Sequence, residues 1–432
     1  MHTATFNLAH LSDSHLGYEA YPALSPSGNN QRGEDMVRAF VNVCDDILSW
    51  DPALVIHAGD VTEKPKVDIK YMLVAQQYFT RLAGKRSDGS RRQVIIVAGN
   101  HEQPRSRKEI CWLELLRGIP GVRVVSDTYR IERYRGGVDD CPFELDGVAI
   151  HALPHDSLKE IDQSVVVPDE KASANVLVAH GVAMGSELFT RALGREYAID
   201  ADMLSRDWDY VSLGHFHKRG PVASGTNPAV ERVWYSGSSE NVSFRDLRDN
   251  NAGKGYLRVA LRESTISVNP VNLPIRRMFR LPVVQGSNKS AEELTRELRE
   301  NLECSDIEAA VVGQIVEGVS TDMWSLLDLS AVREAAKAAL HYELTVRHSQ
   351  AAPKEHGDNT VGLGDLGRVL DEHIMTSVEP RIVDDVRDLA RMLLGSALND
   401  VADDSPTKTE ATPPTTNDKT PDSVVTAGEV AA

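Results

Sequence analysis

Cysteine is scarce: the 432 residues hold four, Cys44, Cys111, Cys141 and Cys304. No two stand at a zinc-ligand spacing, which argues against a disulfide-stapled scaffold and against a thiolate zinc site. We read them as reduced thiols of an intracellular protein. Positive charge is in deficit too, and the formal net charge is -17. That balance excludes a protein that coats nucleic acid or anionic membrane through its global charge, though not one with a local basic groove. No apolar run approaches the length of a membrane-spanning helix. The opening stretch, MHTATFNLAHLSDSH, lacks the basic start and apolar run of a secretory signal. The expectation is a cytoplasmic protein with no membrane association. Internal repeats are missing as well.

What is present is an alternation of short apolar runs and amphipathic stretches, in a chain long enough for two or three domains. FNLAHLS, ALVIHAGD, RQVIIVAGN, VAIHALP, NVLVAHG, DYVSLGH and RVWYSGS read as strands. Residues 34–49 and 68–83 carry apolar positions at helical spacing. Later strands follow with fewer helices between them. The fold class is therefore layered α/β, with a mixed sheet or a two-sheet sandwich. A boundary falls near residue 273, after the strand-like YLRVAL and ISVNPVNL. Beyond it, Ser290 and Glu293 form a capping box opening a helix, and AAVVGQIVEG reads as a strand. The expected organisation is a first domain over 1–272, a second over 273–348, a polar linker over 349–362, a helical segment over 363–398 and a disordered acidic tail over 399–432. The apolar stripe Val383, Val386, Leu389, Met392 and Leu393 suits either self-packing or a partner-binding helix.

The chemistry gathers at strand ends. HLSDSH ends on Asp13 and His15, VIHAGD on Asp60, IIVAGNHE on Asn100 and His101, VLVAHG on His180, and SLGHFH on His215 and His217. One polar residue after a strand is usually a turn former, and one His-x-His is often surface or core. Five strands that all end on carboxylate, amide or imidazole are hard to explain by turn chemistry, because strand C-termini are where α/β sheets present site residues. Gly59, Gly99, Gly181 and Gly214 adjoin four of these segments, and glycine permits a sharp exit and close backbone approach. The donor mix is too rich in nitrogen for calcium and suits manganese, iron or zinc. Two carboxylates, one amide and four of the imidazoles make seven donors, which exceed one tetrahedral ion and fit two ions sharing a carboxylate. Such a pair, roughly 3.5–4 Å apart, is a clamp for phosphoryl chemistry.

Taken in order, Asp13-Ser14-His15, Gly59-Asp60, Gly99-Asn100-His101-Glu102, His180 and Gly214-His215-Phe216-His217 resemble the motif series of the calcineurin-like metallophosphoesterases. LSDSHLGYE with RGEDMVRAF, and SGSSENVSF with GKGYLRVAL, resemble the SbcD-type DNA-repair nucleases within that superfamily. The resemblance covers roughly residues 5–345. It implies a four-layer β-sandwich flanked by helices, a small α+β DNA-capping domain and C-terminal helices. It further implies a nuclease acting on double-stranded DNA ends as exonuclease or endonuclease, two divalent metal ions, with manganese expected, a homodimer, and an SbcC-type SMC-like ATPase docking in the region of 363–398. Carried over by position, the first ion is held by Asp13, His15, Asp60 and His217, and the second by Asp60, Asn100, His180 and His215. His101 is then the catalytic residue, contacting the scissile phosphate.

One position departs from the family, which often has Asp or His three residues after the bridging Asp. Glu63 stands there, either shaping the pocket or capping the next helix and facing solvent. For DNA, the basic runs 85–92, 104–108 (with Arg105, Arg107 and Lys108) and 130–135 are candidate phosphate contacts, against the plain reading of solvated charged faces. Two other functions fit parts of the pattern: an enzyme for small phosphodiesters or phosphomonoesters, and a non-catalytic scaffold. The second domain speaks against the first of these, and the full complement of ligand positions against the second.

Overall fold

Strands whose two faces are both apolar must be covered on both sides, and a computed structural model shows how. It describes residues 6–348 except 105–108, 136–140, 184–196, 223–231, 250–252 and 263–264. The linker, helical segment and tail expected over 349–432, and Arg105, Arg107 and Lys108, lie outside the described residues.

One six-stranded sheet runs in the order β14 (Thr265–Asn272), β13 (Gly255–Arg262), β1 (Phe6–Leu11), β2 (Leu54–His57), β3 (Gln93–Val97) and β4 (Val122–Val125). A second runs β11 (Gly220–Pro221), β12 (Val233–Tyr235), β10 (Tyr210–Gly214), β7 (Ala174–His180), β6 (Val148–Leu153) and β5 (Arg130–Arg133). A two-stranded ribbon joins β8 (Val182–Ala183) to β9 (Ala198–Ile199). Both large sheets are mixed. β1, β2, β3 and β4 are parallel neighbours, as are β6, β7, β10 and β12, while β13, β14, β5 and β11 are antiparallel additions. Pro270 sits in β14 at the sheet edge, where a missing N–H costs no ladder bond.

Side-chain alternation divides the core into three layers of contact. Phe6, Leu8, Ile95 and Val97 of the first sheet meet Ile150, Val176 and Val178 of the second. The alternate residues Ala9, Leu11, Val94 and Ile96 face outward, onto Phe40, Val43 and Ile47 of helix α1 (Gln31–Trp50) and Ala75 and Phe79 of helix α2 (Ile69–Leu82). Leu177, Ala179, Val211 and Leu213 face the other way, toward Leu158 of the short helix α3 (Ser157–Glu160) and Met203 and Leu204 of α4 (Ala201–Leu204). This is the helix-flanked α/β sandwich the strand pattern predicts. The side chains of Asn30 and Asp68 cap α1 and α2, a contribution of about 1 kcal/mol each.

Residues 278–348 build a further sheet around the central strand β17 (Val311–Val319). It pairs in parallel with β15 (Met278–Arg280), β16 (Val284–Gln285) and β18 (His341–His348). Helix α5 (Ala291–Glu303) buries Leu294, Leu298 and Leu302 against it, and both hydrogen bonds of the Ser290–Glu293 capping box are made. Tyr21 stacks on His341 at 3.7 Å between ring centres. Arg276 reaches back to Asp35 on α1, with Nε and Nη2 at 2.9 and 2.6 Å from its carboxylate. No helix among the described residues is long and apolar enough to cross a membrane.

Candidate metal centre

Parallel strands deliver their C-terminal ends to one edge, and both sheets do so at the same place. β1 hands over to Asp13 and His15, β2 to Asp60, β3 to Asn100 and His101, β7 ends on His180, and β10 leads into His215 and His217. Within the first sheet Asp13 N–H donates to Gly59 O at 2.9 Å and His15 N–H to Asp60 O at 3.1 Å, and from the second sheet His180 Nδ1 donates across to Ala58 O at 2.8 Å. The turns are sharp: Asp13, His15, Asp60 and His215 hold positive φ of 52, 46, 56 and 108°. Non-glycine residues occupy such conformations at a cost of order 1–3 kcal/mol each, and they cluster at functional sites.

All eight sequence-predicted site residues come together. Ligand-type atoms of Asp13, His15 and His217 lie within 4.8 Å of one another, as do those of His15, Asp60 and His101, and those of Asp60, His180 and His215. Asp60 belongs to two of these groups. Its Oδ2 lies 3.3 Å from His180 Nε2 and 3.9 Å from His15 Nε2. Asn100 Oδ1 completes the set, 3.0 Å from His180 Nε2 and 3.1 Å from His215 Nδ1.

The hydrogen bonds decide which atoms these rings offer. A carbonyl or carboxylate only accepts, so a ring nitrogen facing one carries the proton and its opposite nitrogen carries the lone pair. His180 gives Nδ1–H to Ala58 O. His15 gives Nδ1–H to Glu63 Oε2 at 2.8 Å. His217 gives Nδ1–H to Asp246, 3.2 Å from Oδ1 and 3.3 Å from Oδ2. All three then turn Nε2 lone pairs inward. His15 Nε2 and His217 Nε2 face each other at 2.9 Å, and His180 Nε2 faces Asp60 and Asn100 oxygens. Acceptors converging on acceptors are repulsive unless a proton or cation lies among them. A divalent cation fits this donor set, and partners fixing ligand tautomers in this way are what metal-binding histidines ordinarily carry.

With no cation among these groups, a proton takes that place on His180. Burial opposes charge on His180, but the Asp60 carboxylate beside it outweighs burial and raises its pKa to about 9. Asp60 is held well below the ordinary carboxylate range. Burial acts the other way, but His180, His15 and His101 win. Burial, with His180 close by, pushes His215 down to about 3, leaving a neutral ring with a lone pair to give.

His101 stands apart from the inward-facing rings. Its Nδ1–H donates to Glu63 O at 2.6 Å, its backbone N–H to Asp60 Oδ1 at 2.9 Å, and its side chain is 32% exposed. Glu63 reaches the site, resolving the two options for that position; the cap of α2 is Asp68 instead. Two more carboxylates carry weight that sequence reasoning missed. Fully buried Glu102 accepts from the backbone N–H groups of Asp60 (3.0 Å), Thr62 (2.6 Å) and Gly99 (2.9 Å), tying the β2 and β3 exits together. Burial and the charge of Asp60 raise its pKa to about 7 against those donors. Its place in Gly99-Asn100-His101-Glu102 was the available signal. Asp246 gave little: it lies well past the end of β12 rather than at a strand terminus, and it matches no motif.

Two of the basic runs are spoken for. In 85–92, Arg86 pairs with Asp88 at 2.9 Å and Glu144 at 3.1 Å, and buried Arg92 pairs with Asp51 and donates to Leu82 O at 2.8 Å. In 130–135, Arg130 pairs with Asp127 at 3.1 Å and Arg133 with Asp169 at 2.7 Å. Arg130 and Arg133 are exposed and fit the charged-face reading, whereas Arg92 is buried and Arg86 largely so, both paired within the fold.

The comparisons with known proteins fall in line with this geometry. Residues 6–219 match the family model described as calcineurin-like phosphoesterase. The chain is similar to the DNA double-strand break repair protein Mre11 of Haloferax volcanii, 28% identical over 308 residues, which is 70% of this chain and 59% of that one. It is similar to the Mre11 proteins of Sulfurisphaera tokodaii (24%, 72% of this chain, 74% of that one) and Methanococcus maripaludis (22%, 57% and 61%). The chain thus spans about three fifths of the length of the Methanococcus and Haloferax proteins, at 61% and 59%.

Proposed function

Through residues 6–219 the chain belongs to the calcineurin-like phosphoesterases, and from that membership we propose that it is a two-metal phosphodiesterase degrading double-stranded DNA ends in break repair. The observation that carries the proposal is the convergence of seven donors from five strand ends on one buried edge, in a chain similar to DNA double-strand break repair proteins. In this reading Asp13, His15, Asp60 and His217 would hold one ion and Asp60, Asn100, His180 and His215 the other, with Asp60 common to both. Manganese suits the mixed nitrogen and oxygen donors. Two divalent ions at such a site supply a nucleophile at neutral pH and neutralise charge growing on the phosphoryl oxygens.

The chain's own residues do the rest. Glu63, Asp246 and the Ala58 carbonyl hold three imidazoles in the tautomer that points Nε2 inward. His101 has its Nδ1–H committed to Glu63 O, which leaves Nε2 to meet the phosphate. Half-buried at the rim, it is placed to give a proton or hydrogen bond to the departing oxygen. Such a group typically contributes 10²–10⁴-fold.

The sheet around β17 serves in this reading as the DNA-capping domain. A homodimer has a candidate surface. Ile69 and Leu73 lie one turn apart on α2, 68% and 55% exposed, and Ile110 and Leu115 are 82% and 75% exposed. Lys66 and Glu109, beside them, are bridged at 2.8 Å. Large exposed apolar side chains grouped this way are what an interface covers. An SMC-like ATPase of SbcC type is the proposed partner, docking on 363–398.

The test is degradation of end-labelled linear duplex DNA in manganese, in magnesium and in EDTA, beside Asp60→Ala. Manganese-dependent loss of duplex that the variant lacks is the expected result. Hydrolysis of bis(p-nitrophenyl) phosphate without DNA cutting, with the ATPase present as well as absent, would replace the nuclease with an enzyme for small phosphoesters.

A further inference from the structure

The geometry points to Asp246 as a positioning residue of the metal centre, one that sets the proton of His217 and thereby the affinity of the ion that His217 holds. This rests on the two-metal reading above and adds to it a residue outside every motif of the site.

Asp246 opens a short turn, Asp246–Asp249, on the segment that follows β12, well past that strand's end. Its side chain is 7% exposed. Three groups share its two oxygens. His217 Nδ1 lies 3.2 Å from Oδ1 and 3.3 Å from Oδ2, Val242 N–H donates to Oδ2 at 2.7 Å, and Lys254 Nζ stands 3.7 Å from Oδ2. The lysine is itself buried and donates to His217 O at 2.8 Å and Ser238 Oγ at 2.7 Å. His217 is therefore gripped twice, by ring and by backbone, from one ionic pair. The segment carrying that pair is fixed in turn. Arg32 on α1 donates to Asn241 O, Asn241 N–H donates to Glu240 Oε1 at 2.8 Å, and Arg276 N–H donates to Glu240 Oε2 at 2.9 Å. A chain of hydrogen bonds thus runs from α1 and Arg276 to a ring facing the centre.

The consequence for the ring is specific. With Nδ1–H donated to a carboxylate, His217 must present an Nε2 lone pair toward His15 and Asp13. A merely structural Asp246 would need its bond to Val242 and its contact with Lys254, but no proton from His217. The two roles separate in Asp246→Asn. The amide oxygen keeps the Val242 bond, while the amide nitrogen takes the place of Oδ1, 3.2 Å from His217 Nδ1. A donor there favours an acceptor Nδ1, which puts the proton on Nε2, where the ion would bind. Partners of this kind are typically worth 10–100-fold in metal affinity.

The experiment is manganese binding to the metal-free full chain, read by the electron paramagnetic resonance signal of free manganese, for the wild type and Asp246→Asn. The metal-free melting temperature is measured alongside. The expected result is two ions on the wild type. The variant should bind one of them 10–100-fold more weakly, with the other affinity nearly unchanged and the metal-free protein still folded, at a melting temperature lowered by the loss of charge beside Lys254. Two wild-type affinities in a folded variant overturn the assignment while leaving the two-metal reading intact. A wild type that takes up no manganese overturns the two-metal reading, and the assignment with it. Should the variant not fold, histidine-selective 15N spectra of the metal-free wild type decide. The His217 signal, identified by its loss in His217→Asn, should show the Nδ1–H tautomer, and the Nε2–H tautomer overturns the assignment.

Discussion

Replacing Gly214 by alanine puts a methyl group between the two sheets at the point where they build the centre. Its Cβ would lie 2.0 Å from the Ala58 carbonyl oxygen, 2.9 Å from His180 Nδ1 and 2.9 Å from Ser12 Cβ. Real Cβ contacts essentially never fall below 3.0 Å, so β10 must retreat from Ala58 by about 1 Å. Both near neighbours are constrained, because Ala58 O is backbone of the first sheet and is the acceptor that fixes His180. Overpacking of this sort costs roughly 1–3 kcal/mol. For a domain of this size that lowers the melting temperature by about 2–6 °C. The effect on rate is larger, since a misplacement of about 1 Å at reacting groups costs on the order of 10²-fold. The assay is hydrolysis of bis(p-nitrophenyl) phosphate at saturating manganese, with thermal melting of the same protein. Gly220→Ala is the control, because nothing lies within 4 Å of a Cβ there, and it should leave both readouts unchanged. If Gly214→Ala keeps wild-type activity within twofold and melts at the wild-type temperature, close sheet approach is not what shapes the site.

Three further outcomes follow from the same structure. Burial, chiefly, pushes the pKa of His10 and of His57 down to about 3, while the unfolded chain protonates them near 6.5. The unfolded state therefore binds more protons between those values, and stability falls as pH drops through that window, by up to about 1.4 kcal/mol per pH unit for each ring. Urea midpoints of the metal-free protein at about pH 7.5 and about pH 5 check this, and a midpoint that rises on acidification contradicts it. Ile69→Asp combined with Leu73→Asp should convert the proposed homodimer to a monomer in sedimentation without lowering the melting temperature, because both side chains face outward on α2; an unchanged sedimentation coefficient removes this face from the interface. Deleting 363–398 should abolish ATPase binding in a pull-down yet spare manganese-dependent hydrolysis, and retained binding moves the docking site elsewhere.

The local pattern of the chain was enough to locate the donors. A strand side chain alternates with a period of two, so runs such as VLVAH and VIHAGD state both that they are buried on two faces and where they end. Glycine beside a polar residue at each end marks the sharp exit. Asp13, His15, Asp60, Asn100, His101, His180, His215 and His217 are legible for that reason: each is tied to a strand terminus, and a parallel sheet brings strand termini to one edge whatever its exact twist. The capping box at Ser290 and Glu293 is legible because its two hydrogen bonds are three residues apart in the chain. What required the tertiary structure is everything set by distance across the chain. Glu63 could cap a helix or reach the pocket, and only the 2.8 Å approach to His15 Nδ1 decides. Arg86 and Arg92 look like free cations until Glu144 and Asp51 fold against them. Asp246 meets His217 from 29 residues away. Hydrogen bonds between remote segments leave no period in the sequence, because their partners are chosen by how sheets pack and not by the repeat of one backbone.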